Sequence, residues 1–174
     1  MKFILFFLVS TFSLGAQAQS IDVEYDKNRD FTKYKTFMFG ESQITTPADQ
    51  KQVDDAKMDK WIKDAVTEEL KLIGLQKKDS LADLIITYAE GTLARTDSEK
   101  IGPLAMTPGS SERNFTFQYR QSSLIIDMND RSGNLIWRIN STTNITSTEI
   151  ERMVDAIVER GFKKFGRAHH KRKK

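Results

Sequence analysis

The sequence predicts an α+β fold. Its expected form is a two-layer sandwich, a mostly antiparallel sheet of five or six strands with two amphipathic helices packed on one face. Three observations carry this. Several short stretches alternate apolar and polar residues, the period of half-buried strands. Two longer stretches place apolar residues three and four apart, the period of a one-sided helix. The elements run strand, strand, helix, three or four strands, helix, so two apolar helix faces need a sheet to cover.

In chain order, Ile21, Val23 and Tyr25 alternate with Asp22 and Glu24 as a first strand, and residues 26–30 make a polar turn. Phe37 and Phe39 alternate in a second strand that ends at Gly40. Thr46-Pro47-Ala48-Asp49 reads as a helix start: Thr46 caps, Pro47 suits the first helical position, and Asp49 reaches back to the cap amide. Met58, Ile62, Ala65, Val66, Leu70 and Ile73 form its apolar face, Trp61 sits at the edge, and Gly74 ends it in the left-handed conformation. Leu84, Ile85 and Ile86 are consecutive, which predicts a central strand over residues 84–88. Residues 92–114 lose all periodicity and contain Gly102-Pro103 and Pro108-Gly109, which predicts a long mobile loop. Phe115, Phe117 and Tyr119 alternate, then Leu124, Ile126 and Met128. The join at 121–123 lacks a turn signal and fits a bulge in one long strand. Residues 130–134 make a hairpin with Gly133 available for positive φ, and Leu135, Trp137 and Ile139 form the return strand. Thr146 and Glu149 box the start of a second helix, whose face is Ile150, Met153, Val154, Ile157, Val158, Phe162 and Phe165, and Gly166 ends it.

Residues 1–18 read as a bacterial-type signal peptide. Lys2 supplies the charge, and residues 3–14 are an apolar run of signal-core length, short for a membrane span. Ala16-Gln17-Ala18 predicts cleavage that leaves Gln19 first. The expected organisation is a signal peptide over 1–18, one α+β domain over 19–166 and a basic disordered tail over 167–174. No later apolar stretch approaches 18 residues, so no transmembrane span is expected after cleavage. The chain has no cysteine, which excludes disulfides, a thiolate nucleophile, cysteine metal ligands and a lipidated cysteine. The expected location is outside the cytoplasm, periplasmic or peripheral to the outer membrane and not lipidated.

The net charge of +3 conceals a split. Residues 161–174 hold seven Lys and Arg and no acid; with these and Lys2 removed, the body carries −5. A pI near 9 is therefore no sign of nucleic-acid binding, and no nucleic-acid partner is expected. Lys171, Arg172, Lys173 and Lys174 are the candidate contacts to an anionic surface.

Catalytic signals are sparse. The two histidines, His169 and His170, fall in the expected tail, away from any shell that could position them. That leaves no serine triad, and no Ser-x-x-Lys occurs. Asp83 and Asp127, near or within apolar strand runs, are the acids that stand out; hydrogen-bonded strand residues explain them as well as a carboxylate pair does. Asp127, Asn129 and Asp130 lack the glycine and acid spacing of a calcium loop and fit a hairpin turn better. Asn114, Asn140 and Asn144 head N-x-Ser/Thr triplets, and no Walker or dinucleotide glycine pattern occurs. No catalytic residue, cofactor or metal is assigned.

In order along the chain come Val23-Glu24-Tyr25-Asp26, Asp30-Phe31-Thr32-Lys33-Tyr34-Lys35-Thr36-Phe37, a helix ending before Gly74, and Ala82-Asp83-Leu84-Ile85-Ile86-Thr87-Tyr88. Ser123-Leu124-Ile125-Ile126-Asp127, Gly133-Asn134-Leu135-Ile136-Trp137-Arg138 and a closing helix follow. This series resembles the exported bacterial proteins of domain of unknown function 4136. The resemblance implies an α+β envelope protein with no established active site. Many relatives look like lipoproteins, and this chain departs in having no cysteine after its signal. The expected function is non-catalytic binding or scaffolding in the periplasm or at the outer membrane, with an unknown envelope protein or an anionic surface as partner. The alternatives are a small-ligand or lipid-binding module, with space under the 92–114 segment, and a carboxylate-dependent hydrolase.

Overall fold

The structure, a computed structural model, describes residues 19–101, 113–145 and 149–170. The expected signal peptide, Thr146 of the second capping box, and Lys171, Arg172, Lys173 and Lys174 lie outside the described residues.

Among the described residues, seven strands form one sheet. They are β1 (Gln19–Tyr25), β2 (Thr36–Phe39), β3 (Gln43–Ile44), β4 (Gln76–Lys77), β5 (Leu84–Ile101), β6 (Arg113–Asp130) and β7 (Leu135–Ile145). The spatial order is β1-β7-β6-β5-β2-β4, with β3 also on β5. Helices α1 (Asp55–Leu72) and α2 (Ile150–His170) share one core with the sheet face carrying Leu84, Ile86, Leu124, Ile126, Met128 and Ile139.

The α+β class and the two helices match the expectation; the sheet is mixed. β5, β6, β7 and β1 pair antiparallel, but β2 runs parallel to β5 and β4, and β3 parallel to β5. The physical reason is α1. It carries the chain back after β2, so β5 begins at the end where β2 began.

Three boundaries differ from the sequence reading. Residues 48–50 make only a single 3-10 turn, and α1 starts at Asp55, where the Asp54 carboxylate accepts from the Lys57 amide at 2.8 Å. Thr46 does not cap; its hydroxyl accepts from the Thr92 amide at 2.8 Å. The aperiodic stretch is strand over residues 92–101 and again from Arg113, while residues 102–112 lie outside the described residues. β5 and β6 stay in register from Leu84↔Asp130 to Ile101↔Arg113 without a shift at 121–123. β7 leaves β6 at Arg120, and residues 92–101 of β5 carry no apolar alternation to mark them as strand, although Phe115, Phe117 and Tyr119 alternate on the facing part of β6. Finally, Gly166 does not end α2, which continues to His170. A methyl at Gly166 would stand 3.2 Å from Ile73 Cγ1, so this glycine serves close helix packing. Gly74 and Gly133 do take positive φ, at 97° and 79°.

Trp137 is fully buried at the centre of an aromatic cluster, stacked on Tyr25 at 4.3 Å and edge-on to Phe165 at 5.3 Å. A bulge puts it there. Asn129 opposes Leu135 and Met128 opposes Trp137, so Ile136 is the extra residue. Ile136 and Trp137 are consequently both buried, and Leu135, expected to alternate inward, is 41% exposed.

Candidate functional site

The acids singled out by sequence do not form a pair. Asp83 accepts from the Lys35 and Thr36 amides at 2.9 and 3.0 Å and from the Thr36 hydroxyl at 2.9 Å. Burial pushes this carboxyl up, but those hydrogen bonds, with Arg131 nearby, hold it below the ordinary aspartate range. Asp127 takes a two-pronged contact from Arg138 across β6 and β7, at 2.7 and 2.6 Å. The two carboxylates share no partner. Asp130 organises its hairpin by accepting from the Ser132 and Asn134 amides, so these residues form the turn that the sequence favoured over a calcium loop.

His169 corrects the tail. It lies in α2, is 8% exposed, and its Nε2 donates to the Tyr34 carbonyl at 2.8 Å, with the proton assigned to that nitrogen because a carbonyl can only accept. Its spacing of four from Phe165 extends the apolar stripe, a signal that counting only apolar residues misses. Residues 167–170 are therefore helix and not disordered tail.

The sequence reasoning missed Glu90. The inner sheet face turns from apolar to polar along the strands. One row holds Ile86, Met128 and Trp137; further along comes Thr92, Ser122 and Thr143. Glu90 is 3% exposed in this polar band. Its Oε1 accepts from the Thr92 and Ser122 hydroxyls at 3.0 and 3.1 Å, and its Oε2 from Thr46 at 3.1 Å. The alternation Ile86, Tyr88, Glu90 placed it inward; nothing else in the sequence marked it. The adjoining cavity, lined in part by Lys51, Asp55 and Met58, measures about 20 Å³, room for one water and not for a lipid. Among the described residues no group of three or more His, Cys, Asp or Glu stands together as a metal site, and no helix is long and apolar enough to cross a membrane.

Among the described residues, the opposite sheet face carries no helix. A depression of about 290 Å³ there is lined by Ala89, Leu93, Arg95, Gln121, Ser123 and Ile125 among others. Beside it, residues 96–101 of β5 and 113–118 of β6 pair, among the described residues, only with each other, a two-stranded ribbon roughly 20 Å long at about 3.3 Å per residue.

Comparison with known proteins agrees with this architecture. A PDZ domain protein from Parabacteroides distasonis is similar in structure, with a TM-score of 0.53 and 15% identity over 88% of this chain; the match spans 38% of that protein's length. A DUF4136 family protein from Bacteroides thetaiotaomicron gives a TM-score of 0.51 and 15% identity, covering 88% of this chain and 98% of that one. At such identity the likeness shows the fold alone. No curated protein matches the chain. The family model described as domain of unknown function (DUF4136) matches residues 21–165, and the chain belongs to that family.

Proposed function

We propose that this protein is an exported, non-catalytic binding domain of the bacterial cell envelope, and that it engages a protein partner through the β5–β6 ribbon and the uncovered sheet face. The ribbon is the observation that carries the reading. An isolated two-stranded ribbon is marginal in water, and its open edges are templates for another strand. The side chains of Thr46 and Gln50 cover the edge of β5 only as far as the amides of Thr92 and Ala94. The depression beside the ribbon adds apolar surface from Leu93 and Ile125 next to the polar Gln121 and Ser123. Support for a non-catalytic role comes from the acids: Asp83, Asp127 and Glu90 are each held in separate networks of backbone, arginine or hydroxyl donors.

Two measurements test this reading. A photo-crosslinking residue at Gln121 in intact cells should give an adduct of defined mass that the same residue at exposed Lys60 on α1 does not; equal labelling from both sites would overturn the binding face. Mass spectrometry of the mature protein should show Gln19 at the N-terminus, and retention of residues 3–14 would overturn export.

A further inference from the structure

We propose a second surface: the end of the fold where both helices finish is a docking face for an anionic bilayer. This goes beyond the ribbon reading and does not rest on it. Lys71 lies in the last turn of α1 and Arg167 in the last turn of α2. The Gln76 amide donates to the Lys35 carbonyl and the Lys78 amide to the Phe37 carbonyl, which sets Lys35, Lys77 and Lys78 side by side at the start of the sheet. The His169 bond to the Tyr34 carbonyl pins the end of α2 to the same place. The chain thus leaves His170 toward Lys171, Arg172, Lys173 and Lys174 from the end where these basic side chains gather.

Four aspartates at this end keep their charge but are held as acceptors in the loops, two of them beside arginines. Asp26 accepts from the Asn28 amide, Asp30 from Thr32, Asp83 from Lys35 and Thr36, and Asp130 from its own turn and from Arg29 at 3.2 Å. Asp79 is exposed. Lys35, Lys71 and Lys78 are exposed, with no salt bridge among the described residues.

Leucine decides between a bilayer and a hydrated polyanion. Leu81 is 80% exposed and holds φ at 53°, a left-handed conformation unusual for a leucine. The Arg131 guanidinium keeps it there, donating to the Leu81 carbonyl and, from Nε, to the Ala82 carbonyl at 2.8 Å. Leu72, at the end of α1, is 73% exposed. Apolar side chains projecting among lysines suit the headgroup–acyl boundary, where cations meet lipid phosphate and leucine enters the acyl region. A soluble polyanion offers nothing to the leucines.

The test is flotation of residues 19–174, which hold every described element, with vesicles of phosphatidylcholine alone or mixed with phosphatidylglycerol, at low and physiological salt. The parent should bind only the mixed vesicles and weaken steeply with salt. Leu81→Asn should bind about five- to tenfold more weakly, from lost burial of most of one leucine. Asparagine accepts the left-handed conformation readily, so its thermal midpoint should hold. Lys35→Gln with Lys78→Gln should lose on the order of tenfold, since each exposed cation near such a surface contributes up to about fivefold. Absence of binding to the mixed vesicles would overturn the proposal. So would loss confined to Lys171→Ala, Arg172→Ala, Lys173→Ala and Lys174→Ala together, which would assign binding to the tail alone. Weakening by the lysine changes with Leu81→Asn unaffected would assign the surface to a polyanion instead.

Discussion

Trp137→Ala should be among the most destabilising single changes in this fold. The side chain is fully buried, and its ring meets Tyr25 at 4.3 Å, Phe165 at 5.3 Å and Phe31 at 5.9 Å. Its indole Nε1 donates to the Gly161 carbonyl at 3.3 Å. Truncation removes the transfer free energy of the ring and leaves a cavity that a sheet on one side and α2 on the other cannot easily close. Such changes cost about 3–5 kcal/mol. The three ring contacts and the lost indole hydrogen bond place this site toward the upper part of that range. With a urea slope of about 2 kcal/mol/M, the midpoint should fall by roughly 2 M. Unfolding should be followed by helical circular dichroism, because Trp61 would be the remaining tryptophan and sits at the edge of the core. Trp137→Phe keeps part of the ring volume and should recover a substantial part of the loss. A cost below about 1 kcal/mol for the alanine variant would refute the reasoning, because it falls well under the range for truncating a buried aromatic ring.

Asp83→Asn should remove part of the acid sensitivity of the fold. The folded carboxyl titrates below its unfolded value, so its contribution is present above the ordinary aspartate pKa near 3.9 and is lost as pH falls through the folded value. The variant should be less stable by about 1–2 kcal/mol at neutral pH, from weaker hydrogen bonds to Lys35 and Thr36, with the difference shrinking below pH 4 in urea titrations; a gap that widens on acidification would contradict the assignment. Gly161→Ala should destabilise even though alanine favours helix by about 1 kcal/mol, because a methyl there would stand 2.4 Å from Ile139 Cδ1 and 2.8 Å from its Cγ1 and Cγ2. A raised thermal midpoint would show that Ile139 can yield.

What the sequence revealed divides along a physical line. Stripes such as Met58, Ile62, Val66 and Leu70, or Val154, Ile157, Val158 and Phe162, were legible because each packs against a single apolar partner surface. Strands over that same core were legible for the same reason. Features set by long-range pairing were hidden. The parallel pairing of β2 with β5 depends on where α1 returns the chain, which no local period records. In the ribbon beyond Arg120 the β6 side was legible through Phe115, Phe117 and Tyr119, while residues 96–101 of β5, with no third strand beside them among the described residues, show no alternation to detect. Thr46 resembled a cap because Thr-Pro-Ala-Asp satisfies the local rule, yet its hydroxyl is held between Glu90 and the Thr92 amide, forty-odd residues away. Glu90 itself looked like one acid among 24, and only the strand register shows that its inward turn meets three hydroxyls.

Charge is another property that the linear sequence and the fold distribute differently. Summed along the chain, the body is acidic and the last fourteen residues are basic, so any attraction to an anionic surface belonged to the tail alone. Folding sorts charge by place instead. Asp54 and Asp55 stand at the start of α1 and Glu149 and Glu151 at the start of α2, where helix dipoles favour acids; Lys71 and Arg167 stand at the opposite ends, where they favour cations. Both helices finish at the same end of the sheet, so two separate local preferences add in one direction. The lysines of β4 and of the loop before β2 join them there, while the nearby aspartates are taken up in turns. A net charge of −5 over the body is therefore compatible with basic side chains gathered at one end of the fold. The salt dependence of vesicle binding by the folded domain, with the tail cations neutralised, measures that face directly; with Lys35, Lys71, Lys77 and Lys78 intact, a residual salt-sensitive affinity should remain.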